Sequence, residues 1–72
     1  MASSTRRTAA VGVRIGRIRQ QRGLSRRVVA DLAGIHENTL KNIEGGRSNP
    51  TLAVLFGIAD ALGVKIHDLI CK

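Results

Sequence analysis

The stretch "RRVVADLAGIHENTLKNIEGG", residues 26–46, constrains the fold more than any other part of the chain. Counted from Arg26, a small residue, Ala30, falls fifth, Gly34 ninth, Leu40 fifteenth and Ile43 eighteenth. A small residue lets two helices cross closely. A glycine permits the left-handed backbone of a tight turn between them. Leu40 and Ile43, three apart, lie on one helical face and pin the second helix against the first. With those two turned inward, 3.6 residues per turn fixes the opposite face: Glu37, Asn38, Lys41 and Asn42 point outward, with Thr39 near the edge.

The rest of the chain is punctuated in the same way. Residues 1–9 are small, polar and basic and read as a flexible N-terminal arm; residues 10–72 read as one domain. Val11, Ile15 and Ile18 recur at helical spacing until Gly23 stops the helix. Ser25 is a natural N-cap for a second helix with Val29, Leu32 and Ala33 on its inner face. A third helix runs from Glu37 to Glu44, and "EGGRSNP" is a loop by composition. Thr51 caps a fourth helix whose apolar stripe is Leu52, Leu55, Phe56, Ala59 and Leu62. After Gly63 a short helix carries Ile66, Leu69 and Ile70. Five helices and no strand pattern make the class all-α, a compact five-helix domain. A chain of 72 residues has room for one core only.

Charge selects the partner. The net charge is +7 and the isoelectric point near 11.5, which calls for an anion, most commonly nucleic acid. Eight of the twelve basic residues are Arg6, Arg7, Arg14, Arg17, Arg19, Arg22, Arg26 and Arg27, and no acidic residue precedes Asp31. Phe56 is the only aromatic ring, so the base stacking on which single-strand and RNA readers depend is missing, and duplex DNA is favoured. No apolar run approaches the roughly 18 residues of a membrane span, and the start lacks the continuous apolar stretch of a signal peptide. Cys71 alone forms no internal disulfide. These features point to a cytoplasmic protein with no membrane partner.

The "HE" of His36–Glu37 invites comparison with the zinc motif H-E-x-x-H, but the position four beyond His36 is Leu40. No metal site, no cofactor and no catalytic set is legible, so an enzyme is not expected. The outward residues of the third helix are instead suited to hydrogen-bonding base edges in the major groove. Two crossing helices joined by a glycine turn meet the requirement of a helix-turn-helix.

At this point "GLSRRVVADLAGIHENTLKNIEGGRSNPTLAVLFGIADALGV" resembles the lambda/Cro-repressor-type, XRE-like helix-turn-helix family over roughly residues 11–70. In length and in the "GIH…IEGGRSNPTL" texture it is most similar to restriction–modification controller proteins. The resemblance implies a lambda-repressor-like fold and a transcriptional regulator that reads a two-fold operator as a homodimer, with helix 3 in the major groove. It puts Glu37, Asn38, Thr39 and Asn42 at base-facing positions and His36 at the cap, within reach of a phosphate. Lys41, Arg47, Arg26 and Arg27 fall where backbone contacts are expected, assisted by the amides of Gly45 and Gly46. Arg26 departs from the glutamine usual there, which puts that residue's amide pairing with helix 3 in question. Arg19 and Glu44 match an internal ion pair. The apolar C-terminal residues Val64, Ile66, Leu69 and Ile70, with Leu55 beside them, are the expected subunit interface. The alternative is an antitoxin-type module whose main role is to bind a partner protein. Lys65 and Lys72 read as solvated charges.

Overall fold

The computed structural model describes residues 2–70, with side-chain environments from residue 9 onward; Cys71 and Lys72 lie outside the described residues. Five helices follow one another: α1 (Ala2–Gln21), α2 (Arg26–Ala33), α3 (Glu37–Glu44), α4 (Leu52–Leu62) and α5 (Ile66–Ile70). Among the described residues there is no strand. Apolar periodicity begins α1 at Val11, whereas the helix starts at Ala2, so the stretch assigned to an arm is continuous with it. Residues 2–11 hold neither glycine nor proline and are rich in alanine and arginine, both strong helix formers. Periodicity marks only the part of a helix that has something to pack on.

Local chemistry sets the helix ends. The Ser25 hydroxyl accepts from the Val28 amide at 3.1 Å and the Thr51 hydroxyl from the Val54 amide at 3.2 Å, each satisfying one donor at a helix start. Gly34 ends α2 at φ 73°, ψ 29°, a conformation that costs other residues a Cβ clash. Its left-handed turn sends the chain back so that α3 crosses α2.

The core consists of Ile15, Val29, Ala30, Leu40, Ile43, Ile58, Ala59, Leu62 and Leu69. The α2–α4 and α1–α3 pairs pack face to face, and α2 also lies on α3. Glycines permit two of these approaches. A Cβ at Gly57 would stand 3.0 Å from the Ala33 carbonyl oxygen, and one at Gly12 would overlap the Ile43 carbonyl. The C-terminal helix returns to α1, where Arg14 Nη1 donates to the Leu69 carbonyl at 2.9 Å.

Three expectations about packing are corrected. Leu32 is 65 % exposed, because α2 turns Val29, Ala30 and Ala33 to the core and leaves Leu32 on the outer side. On α4, Leu52 and Phe56 are 62 % and 50 % exposed while Ile58 is fully buried. Close approach at Gly57 centres the buried stripe on Ile58, roughly a quarter turn from the stripe through Leu52 and Phe56 at about 100° per residue. Leu69, assigned to a subunit interface, is fully buried within this chain, whereas its neighbour Ile70 is exposed.

Candidate nucleic-acid interface

Helix α3 presents its polar face as its periodicity requires. Leu40 and Ile43 are buried; Glu37, Asn38 and Lys41 are exposed; Thr39 and Asn42 are half-buried at the edges. His36 has the extended backbone of an N-cap (φ −73°, ψ 146°), but its side chain makes no cap hydrogen bond. The expected cap is therefore a backbone one, and the exposed imidazole remains at the tip of the helix beside Glu37 in the first turn. Arg26 and Arg27 open α2 directly after Ser25, both exposed.

At the other end of α3 one carboxylate organises three helices. Arg19 donates to Glu44 through Nε to Oε2 at 2.7 Å and through Nη2 to Oε1 at 3.1 Å, and its Nη1 donates to the Leu24 carbonyl at 2.9 Å. The two side chains are nearly sealed from water, with 9 % and 7 % exposure. The internal pair expected of Arg19 and Glu44 is thus present, fully hydrogen-bonded, as burial of charge demands. Arg26 joins it from the surface: its Nε donates to Glu44 Oε1 at 3.0 Å. Arg26, which departs from the glutamine that the resemblance leads one to expect, contacts helix 3 through an ion pair.

Arg26, Lys41 and Arg47 come together on the rim of an open cleft of about 420 Å³ between α1 and α3. Glu44 and Gly45 line it from α3, and Gly12, Val13, Gly16, Arg17 and Gln20 from α1. Gly45 has an ordinary right-handed backbone (φ −83°, ψ 0°), so its backbone conformation does not require glycine. A Cβ there would lie 3.2–3.4 Å from the guanidinium of Arg47, which folds back over the bare backbone and would have to shift to make room. The Arg47 amide also donates to the Asn42 carbonyl at 2.9 Å, fixing the loop against α3. Arg27, His36, Glu37, Asn38, Thr39 and Asn42 lie outside the cleft lining. Arg17 and Gln20 were not singled out from the sequence, although Val13 and Arg17, four apart like Gly16 and Gln20, share one face of α1.

Among the described residues no group of three or more His, Cys, Asp or Glu side chains stands ready to hold a metal ion, and no helix is long and apolar enough to cross a membrane. Residues 15–69 match the helix-turn-helix family HTH_3. The chain is 37 % identical over 60 residues to an uncharacterized HTH-type transcriptional regulator, y4dJ, of Sinorhizobium fredii, covering 83 % of this chain and 78 % of that protein. It is 39 % identical over 57 residues to the HTH-type transcriptional regulator DdrOP3 of Deinococcus deserti, covering 79 % of this chain and 44 % of that one. Its fold superposes on the restriction-modification controller protein C.AhdI of Aeromonas hydrophila with a TM-score of 0.84 at 27 % identity, over 86 % of this chain and 94 % of the controller. The chain therefore belongs to the XRE-like helix-turn-helix family of DNA-binding transcriptional regulators.

Proposed function

We propose that the chain is a sequence-specific regulator of transcription that binds a two-fold operator in duplex DNA as a homodimer, with α3 in the major groove. The observation that carries this reading is the exposed polar face of α3, flanked by exposed cations. Asn38 and Asn42 suit adenine edges, Glu37 suits the cytosine amino group, and Thr39 lies at the margin of the reading face. Arg26, Arg27, Lys41, Arg47 and His36 hold the backbone and fix register. The likeness to C.AhdI supports a controller-type regulator. Val64, Ile66 and Ile70, which keep exposed or partly exposed apolar surface, form the subunit contact; Leu69 supports them from beneath.

Selection from a random duplex pool at physiological salt, about 0.15 M, tests the reading. A palindromic site is expected, with half-sites about one helical turn apart. A dimer with about 6–10 phosphate contacts loses on the order of 10³–10⁵ in affinity between 50 and 200 mM salt. Uniform binding to all sequences would overturn the assignment of an operator.

A further inference from the structure

Helix α5 is too short to hold itself. The last four carbonyls of any helix lack an internal partner, and isolated helices below about 12–15 residues are marginal in water; α5 has five residues. Its order comes from its cap and from its neighbours. At its start the Lys65 amide donates to Asp68 Oδ2 at 3.0 Å. In its last turn Leu69 is fully buried in the core. The Leu69 carbonyl accepts from Nη1 of Arg14 at 2.9 Å, a contact reaching across from α1 over 55 residues of chain.

That carbonyl belongs to the peptide unit joining Leu69 to Ile70, and a peptide unit is planar. Fixing it fixes the direction in which the chain enters Ile70, which is 47 % exposed. Ile66, partly buried, lies four positions earlier on the same face. Arg14 is itself half-buried, at the edge of an open cavity of about 390 Å³ lined also by Ala9, Ala10, Val13 and Arg17. A charged donor partly withdrawn from water makes a stronger hydrogen bond than a neutral one, and a cation suits the C-terminal end of a helix.

We propose that Arg14 is a positioning residue for self-association: it clamps the end of α5 and so presents Ile66 and Ile70 to a second copy of the chain. The inference rests on the subunit contact proposed above. Without the clamp the last turn of α5 frays, and its ordering is then a cost of association. An arginine in the basic first third of the chain thereby serves assembly.

Wild type is compared with Arg14→Gln, Arg14→Lys and Ile70→Ser. Sedimentation equilibrium over a range of concentrations reads self-association, and amide hydrogen exchange on dilute, monomeric protein reads the order of each helix. Arg14→Gln is expected to raise the dimer dissociation constant by about tenfold or more, the scale of one hydrogen bond from a charged donor. Exchange is expected to quicken in α5 and to stay at the wild-type rate in α2, α3 and α4. Arg14→Lys, which keeps a charged donor, should fall between wild type and Arg14→Gln. A wild-type dissociation constant in Arg14→Gln, with Ile70→Ser weakened, would overturn the positioning role and leave the subunit contact intact. Faster exchange in all the helices of Arg14→Gln would also overturn it, in favour of a general loss of stability. A wild-type chain that stays monomeric throughout would overturn the subunit contact and this role together.

Discussion

Arg19 and Glu44, 25 residues apart in the chain, meet in a two-pronged ion pair at 2.7 and 3.1 Å that closes the junction of α1, α3 and the start of α2. Removing one member of a buried pair leaves the other charged and unsatisfied, typically at a cost of about 3–5 kcal/mol. Arg19→Ala is therefore expected to abolish folding or lower the melting temperature by more than about 10 °C, at roughly 4–8 °C per kcal/mol for a domain this small. Circular dichroism on heating measures it. An unchanged melting curve with uniformly weaker DNA binding would assign Arg19 to phosphate instead.

The packing of α4 makes a sharp contrast between two apolar residues two positions apart. Ile58→Ala removes a fully buried side chain and should cost about 2–5 kcal/mol. Phe56→Ser removes a half-exposed ring and should cost on the order of 1 kcal/mol or less. Urea denaturation of both variants checks the order; a reversal would restore the stripe through Leu52 and Phe56.

Gly12 tests the seam between α1 and α3. Alanine favours a helix over glycine by about 1 kcal/mol, but the new Cβ would overlap the Ile43 carbonyl, and backbone yields only if α3 moves. The clash dominates, with overpacking costs of about 1–3 kcal/mol. Gly12→Ala should lower both the melting temperature and DNA affinity, whereas Gly23→Ala, strained at φ 68° with nothing within 4 Å, should affect stability alone.

The caps can be tested independently of DNA. Ser25→Ala and Thr51→Ala each remove one side-chain acceptor from a helix start, with a typical cost of about 1 kcal/mol. The two losses should add, since they concern different helices and share no partner. A double variant no less stable than either single one would contradict this.

On α3, the residues proposed to face bases and those proposed to face phosphates separate by their readouts. Asn38→Ala or Asn42→Ala should relax preference at one base pair by about 1–3 kcal/mol and leave the salt slope unchanged, whereas Lys41→Ala should weaken all sequences alike and lower the slope by about 1. Binding measured on the selected site and on its single-base variants distinguishes them.

The helix-turn-helix is legible in the sequence because each step has one physical solution: a cap at Ser25, a small residue at Ala30, a left-handed turn at Gly34, and Leu40 and Ile43 at helical spacing. The rotation of α4 is not. "LAVLFGIADAL" is apolar almost all round, so periodicity gives no preferred face, and only the contact of Gly57 with Ala33 selects one. The outward face of α3 follows from its own sequence. The cleft beside it does not, because Arg17 and Arg26 meet Lys41 and Arg47 only once Gly12 has set how closely α1 lies on Ile43. The exchange at Arg26 was visible as a departure from the usual glutamine, but the retained contact with helix 3 through Glu44 needed the fold.

The exposed ring of Phe56 has an optical consequence. The chain holds no tryptophan or tyrosine, so it is nearly dark at 280 nm and has no intrinsic fluorescence by which binding or unfolding could be followed against DNA. Phe56 lies on the outer side of α4, away from the Ala33–Gly57 contact, and a tryptophan there has room to stand without disturbing the core. Phe56→Trp would give the domain a single chromophore and make its unfolding visible at low concentration.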